Sequence, residues 1–340
     1  MGNQMQREMT ARVPLLGKKG ELLHPGYARH MLYDYDRTLV AGLPFRLKEW
    51  DFYQFPLGEW VLQMTIGHVS YCTQLSAHLF SLENGEHYDF ERMYPFLKKD
   101  LHFSANPEEP GVLEARGQGF RMRYETKRDH KRLRLRVKGE EAVEIDLYLP
   151  WNPEEEKMVI ATPFAKKGQF YLNCKEHYYG VKGTVCFGSR LVEADGRQTG
   201  LMDWGRGVWP FSQEWFWGCG ADYQAGGRFG FNIGWGFGDT SRATENMFFW
   251  EGKAYKLGSL QVDRNPDDYM APWRFYTQDG QFDLTMEPVH DHYTETKVLF
   301  VDNCCHQVHG KFSGKAVLPD GKVIEVTNML AFCEHARNNW

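Results

Sequence analysis

Much of what usually betrays a function is missing from this chain. No apolar run approaches the roughly 20 residues a membrane helix needs, so no membrane insertion is expected. The opening residues "MGNQMQREMTARVPLL" lack the apolar core of a secretory signal. The seven cysteines are odd in number, scattered and without C-x-x-C spacing, which argues against a disulfide framework and a zinc site. Together these absences point to a reduced, cytoplasmic protein. There is no Walker loop and no G-x-S-x-G elbow, and "GCGADY" (218–223) lacks the third glycine of a dinucleotide loop. Nucleotide-dependent and ordinary serine-hydrolase chemistry are disfavoured, and no cofactor is expected. Strong charge of one sign is also lacking. The 40 Lys and Arg against 45 Asp and Glu leave a net −5, which gives no general affinity for nucleic acid or anionic lipid. Helical periodicity is scarce. Only residues 88–99 offer a short helix, and nothing alternates strand with helix as a parallel α/β fold would.

What the chain has is strand. In "RLRLRVKGEEAVEIDLYL" (132–149), Leu133, Leu135 and Val137 alternate with Arg132, Arg134 and Arg136. After the turn at Lys138-Gly139, Val143, Ile145, Leu147 and Leu149 alternate with Glu144 and Asp146. Period two with apolar residues on one side and charge on the other is a half-buried hairpin. Turn signals recur at Asn84-Gly85, Asp195-Gly196, Glu251-Gly252, Asp279-Gly280 and Asp320-Gly321. The fold class read from this is all-β, mostly antiparallel, in sandwiches or barrels. A length of 340 residues suits two domains of moderate size, drawn at 1–195 and 196–340. Residues 116–138 carry ten Lys or Arg. The alternation favours a solvated strand face whose arginines meet Glu144 and Asp146 over a nucleic-acid surface.

Aromatic residues make up 15% of the chain, enough for a well-filled core or a ligand cavity. They concentrate in "GLMDWGRGVWPFSQEWFWGCGADY" (200–223), which interleaves Trp204, Trp209, Trp215 and Trp217 with five glycines. From 229 to 238, Phe229, Phe231, Ile233, Trp235 and Phe237 alternate with Gly230, Asn232, Gly234, Gly236 and Gly238. Adjacent strands with glycine on a common face would leave a trough walled by aromatics; equally, the glycines could bend the sheet while the tryptophans fill a core. The polar groups set among these runs are the site candidates. Asp203, Glu245 and Arg206 are read as catalytic. Asn232, Asn246, Asn173 and Lys175 are read, with the four tryptophans, as substrate contacts. A carboxyl among bulky apolar residues is raised in pKa by desolvation or lowered by an arginine, and Asp203 with Arg206 leaves both open. His290, His292, His306 and His309 are close enough in sequence to prompt a metal reading, but surface or interface histidines are preferred and no metal is expected.

The blocks "LMDWGRGVWPFSQEWFWG", "ATENMFFWEGKAYKL", "FYLNCKEHYYGVKGTV", "GKFSGKAVLPDGKVIEV" and "LKEWDFYQF" resemble the domain-of-unknown-function family numbered 2804, over roughly residues 25–340. That family is more distantly similar to two-lipocalin proteins: carotenoid hydratases, tocopherol cyclases, AttH-like proteins and certain fungal pericyclases. The resemblance implies two lipocalin-like β-barrels or half-barrels with a ligand site in or between them, and supplies no reaction. No motif here matches the hydratases' catalytic aspartate and histidine; His68, in "TIGHVSY", is the one strand histidine to note in the first half.

The expected partner is a small molecule, with the oligomeric state open. The leading functional reading is acid-assisted hydration, cyclisation or isomerisation of a hydrophobic substrate. The alternatives are a glycosidase using Asp203 with Glu245, and a non-catalytic lipid or pigment carrier.

Overall fold

The computed structural model of the chain describes residues 6–42, 46–69, 71–139, 142–298 and 301–339. Three short strands come first: β1 (Val13–Pro14), β2 (Gly26–Ala28) and β3 (Tyr33–Asp34). Then follow β4 (Lys48–Leu57), β5 (Trp60–Val69), β6 (Cys72–Ser81), β7 (His87–Pro95), β8 (Gly111–Gly117), β9 (Phe120–Thr126), β10 (His130–Val137), β11 (Val143–Pro150), β12 (Met158–Pro163), β13 (Phe170–Phe187) and β14 (Arg190–Val208). The remainder comprises β15 (Ser212–Gln224), β16 (Gly227–Trp235), β17 (Met247–Trp250), β18 (Lys253–Lys256), β19 (Leu260–Asp263), β20 (Trp273–Thr277), β21 (Phe282–Val298), β22 (Val301–Val317) and β23 (Val323–Asn339). One 3₁₀ turn, Arg37–Leu39, stands among the strands.

Apart from β1 and β3, which pair in parallel as a small sheet of their own, these strands form two curled antiparallel half-barrels packed together. The first is a 12-stranded sheet in the order β7-β6-β5-β4-β14-β13-β11-β10-β9-β8, with β12 and β2 continuing from β13. The second is a 9-stranded sheet in the order β18-β17-β16-β15-β23-β22-β21-β20-β19. By sheet membership the chain crosses between Val208 and Ser212, because β14 keeps pairing with β13 and β4 almost to its end.

The alternation seen in the sequence sets the faces. Leu133, Leu135, Ile145, Leu147 and Leu149 are buried in the first half-barrel's core. On the outer face of the same hairpin, Arg132 grips Asp146 at 2.7 and 2.6 Å and Arg136 reaches Glu144 at 2.5 Å. Phe229, Phe231 and Ile233 point into a separate core inside the second half-barrel.

Two expectations fail. Residues 88–99 hold no helix: His87–Pro95 is strand β7, paired with β6 from Phe80↔His87 to Cys72↔Pro95. The spacing of Phe90, Met93, Tyr94 and Leu97 mimics a helical stripe, yet Met93 is 58% exposed and Phe90 alone of β7 is buried. The open edge of β6 needs backbone partners, and that need outweighs local periodicity. The shared glycine trough is also absent. Gly218 lies opposite Ile233 and faces the inside of the second half-barrel, whereas Gly234 lies opposite Trp217 and faces the first. Each glycine therefore sits beside a bulky neighbour on its own face. A Cβ on Gly234 would stand 2.3 Å from the Glu245 carboxylate, and one on Gly205 would stand 2.2 Å from the Trp50 indole.

Candidate functional site

Where the outer faces of the two half-barrels meet, they enclose an apolar pit of about 250 Å³. Its position follows from strand register. In the first sheet Phe52, Asp203 and Lys175 form one cross-strand row, and Trp50, Gly205 and Asn173 form the next. In the second sheet Trp217, Glu334 and Gln307 form a row facing them. Trp50, Val69, Trp215, Phe237 and Asn338 line the pit and keep partial exposure, so they form its rim. Lys175, Asp203, Trp217, Gln307 and Glu334 are buried at its floor. Below, Trp217 packs with Leu201, Cys219 and Phe332 and closes that end. The upper walls meet edge to face: Trp50 on Trp209 at 5.4 Å and 84°, Trp209 on Phe237 at 5.6 Å, Trp215 on Phe237 at 5.3 Å.

Four ionisable side chains share this floor. Lys175 Nζ lies 2.9 Å from Glu245 Oε2 and 4.0 Å from the centroid of the Trp217 ring. Burial works to lower the Lys175 pKa, but Glu245 and Asp203 hold it above its usual value. Asp203 Oδ1 accepts from Asn173 Nδ2 at 2.5 Å, and the Trp50 indole donates to the same carboxyl. Burial raises the Asp203 pKa above the usual aspartate range, against the pull of Lys175, Asn173 and Trp50. Glu334 accepts from Trp215 Nε1 at 2.9 Å and from Gln307 Nε2 at 3.2 Å. Its pKa is likewise raised by burial, against Trp215, Gln307 and Lys175. Above the floor, Lys48 Nζ lies 4.9 Å from the Trp209 ring centroid, its pKa lowered to about 7 by burial and by Arg46.

The structure gathers some of the sequence candidates and disperses others. Asp203, Glu245, Lys175, Trp209, Trp215 and Trp217 line the pit. Asn173 stands behind Asp203 and also donates to the Trp204 carbonyl at 3.0 Å. Asn232 accepts from Trp217 Nε1 at 2.8 Å and donates to the Glu245 carbonyl at 2.9 Å and Oε2 at 3.1 Å, so it orients two lining residues. Asn246 is a corrected candidate: its side chain accepts from the Gly234 N–H and donates to the Gly258 carbonyl, bracing the backbone.

Arg206 and Trp204 are corrected as well. Strand alternation turns them to the opposite face of β14 from Asp203. There the Arg206 guanidinium meets Asp51 at 2.9 Å and the carbonyls of Trp50 and Ser104 at 2.7 and 3.2 Å, and lies 4.0 Å from the Trp204 ring. His68 is buried on the inner side of the first half-barrel. The four later histidines do not converge. His290, His292 and His309 pack around Phe80, while His306 bonds Asp291 on the other face of the sheet at 2.7 Å. Among the described residues no three His, Cys, Asp or Glu side chains form a group fit for a metal ion.

Glu334, Gln307, Trp50 and Tyr171 also line the pit and were missed. The available signal for Glu334 was a lone carboxyl in the run Phe332-x-Glu334-x-Ala336, otherwise apolar on that face.

The model of the family described as "Domain of unknown function (DUF2804)" matches residues 6–340. The chain belongs to that family. No curated protein matches it. Solved structures share its fold, these two among them. Kievitone hydratase from Nectria haematococca is 10% identical with a TM-score of 0.50, over 86% of this chain and 88% of that one. An AttH-like protein from Nitrosomonas europaea is 13% identical with a TM-score of 0.52, over 90% of this chain and 96% of that one. No helix among the described residues is long and apolar enough to cross a membrane.

Proposed function

We propose that this family member is an enzyme that performs acid-assisted hydration, cyclisation or isomerisation of a hydrophobic small molecule bound between the half-barrels. The observation that carries the reading is the Asp203 carboxyl, buried at the floor of an aromatic pit with its pKa raised by burial. Such a carboxyl keeps its proton to higher pH than a solvated one, as a general acid must. Asn173 and the Trp50 indole fix its direction. A proton passed from Asp203 to a double bond or an oxygen leaves positive charge on the substrate, where the ring faces of Trp215 and Trp217 attract it. Closure of the lower end keeps bulk water from quenching that charge. A hydratase is among the proteins of this fold, which makes hydration the first reaction to look for, although fold alone does not fix chemistry.

The glycosidase alternative draws less support, because Glu245 is engaged by Lys175 and the walls are aromatic. The test is incubation of the purified chain, and of Asp203→Asn, with an apolar metabolite extract of its source cells, followed by mass spectrometry. The expected result is a metabolite that gains one water, or shifts retention at constant mass. Its rate of formation should fall about 10²–10⁴-fold in Asp203→Asn. A bound molecule carried unchanged by both proteins would establish the carrier and sink the enzyme.

A further inference from the structure

The floor of the pit holds more carboxyls than one acid needs. Three of them, Asp203, Glu245 and Glu334, line it with a single lysine, Lys175. Lys175 is committed to Glu245 at 2.9 Å. The donors bonded to the other two are neutral: Asn173 and Trp50 for Asp203, Trp215 and Gln307 for Glu334. Lys175 attracts both from a distance but is paired with neither, so one ammonium serves three carboxyls. A buried carboxylate that shares so little counter-charge is disfavoured, and a proton or a further cation relieves it. The walls suit the second outcome. Trp50, Trp209, Trp215 and Phe237 meet at near right angles and make a box of ring faces and edges. Ring faces attract ammonium groups, most strongly where water is excluded. Two of the pit's own rings already carry a cation, with Lys175 over Trp217 and Lys48 over Trp209.

We propose that the pit takes an apolar organic cation, a protonated amine or a quaternary ammonium, lodged between Asp203 on the first half-barrel and Glu334 on the second. The inference rests on this pit being the ligand site and names the ligand class the proposed function left open. A cation formed during acid-assisted chemistry would occupy the same place, so a stable ammonium is also a mimic of that species. Size is compatible: an apolar cavity of about 150 Å³ holds benzene, and the pit of about 250 Å³ has room for a ring with an ammonium substituent.

The experiment is a quenching titration of tryptophan fluorescence on the full chain with three probes: benzyltrimethylammonium, uncharged benzyl alcohol and anionic phenylacetate. At pH 8 the ammonium is expected to bind about tenfold or more tightly than the alcohol, a difference of about 1.4 kcal/mol, with phenylacetate weakest. The preference should shrink severalfold in Asp203→Asn or Glu334→Gln and vanish in the double variant. In the wild type it should also shrink on acidification, as Asp203 and Glu334 take up protons. Lys175, Glu245 and Tyr171 also line this space, and Lys48, buried against Trp209, gains charge over part of the same range. The double variant separates them: whatever pH dependence remains there belongs to groups other than Asp203 and Glu334. Equal binding of alcohol and ammonium by the wild type, which needs no variant to fold, would overturn the proposal. So would an ammonium preference that survives in a double variant with an unchanged melting curve. Either result leaves acid catalysis to the extract experiment, which reads turnover rather than binding.

Discussion

Asp203 and Arg206 are three residues apart and have opposite fates. On a strand, odd and even positions face opposite ways, so Asp203 opens onto the pit while Arg206 is sealed inside the first half-barrel against Asp51. Reading them as a pair from "MDWGRG" ignored that parity. Arg206 is thus a structural cation, with a definite cost if unpaired. Asp51→Ala would take the nearer carboxylate from a fully buried guanidinium and leave only Glu49, at 3.9 Å, so it should destabilise the fold by about 3 kcal/mol in a denaturant melt. A loss below about 1 kcal/mol would mean that Glu49 with the Trp50 and Ser104 carbonyls suffices to hold it. Lys175, Trp215 and Trp217 were legible because each sits in its own alternating run. Glu334 was not: its importance comes from facing Asp203 across two sheets, and no local pattern encodes which faces oppose each other.

At the scale of elements, the all-β class was legible from period-two runs and turn dipeptides, and in the hairpin β10–β11 Arg132 and Arg136 meet Asp146 and Glu144 as the alternation implied, while Arg134 turns to Glu125 on β9. The role of the glycines was not legible, because it depends on the size of what packs over each one. Two substitutions separate the cases. In Gly205→Ala the new Cβ would press on the Trp50 indole at 2.2 Å, and a ring wedged in a sheet row cannot yield without shifting its strand. The expected cost is about 1–3 kcal/mol, with a change in near-ultraviolet tryptophan dichroism. In Gly234→Ala the obstacle is the end of the Glu245 side chain, which can swing away. The strand need not shift, but the buried Lys175 ammonium would lose its nearest carboxylate, so both stability and ligand affinity should fall. A Gly234→Ala protein that binds its ligand as the wild type does would remove Glu245 from the site.

The whole molecule joins two half-barrels through a face that carries titratable groups of opposite tendency. His309 is buried against Phe80, its pKa lowered by burial to about 3, and His292 stacks on the same ring with its pKa lowered to about 4. These rings are neutral in the folded state, whereas in the unfolded chain they take protons near pH 6.5. Their contribution is therefore intact above pH 6.5 and is lost as pH falls toward their folded values. Each group costs up to about 1.4 kcal/mol per pH unit in that window. Asp203 and Glu334 work the other way. Their raised pKa values mean that the folded state binds protons the unfolded chain has released, so they weaken the fold as pH rises above the ordinary carboxylate range. On acidification from pH 7 to 5 the two sets oppose each other and flatten the wild-type melting profile. Replacing both carboxyls, in Asp203→Asn with Glu334→Gln, should raise the melting temperature at pH 8 and leave the histidines opposed chiefly by Asp51, whose pKa burial also raises, so the fall toward pH 5 becomes steeper. Adding His309→Asn to that protein should then flatten the fall again. Melting temperatures at half-unit intervals from pH 4.5 to 8 read all three effects. An unchanged slope in the double variant would show that the two floor carboxyls are ionised throughout, and the acid role of Asp203 would fall with that result.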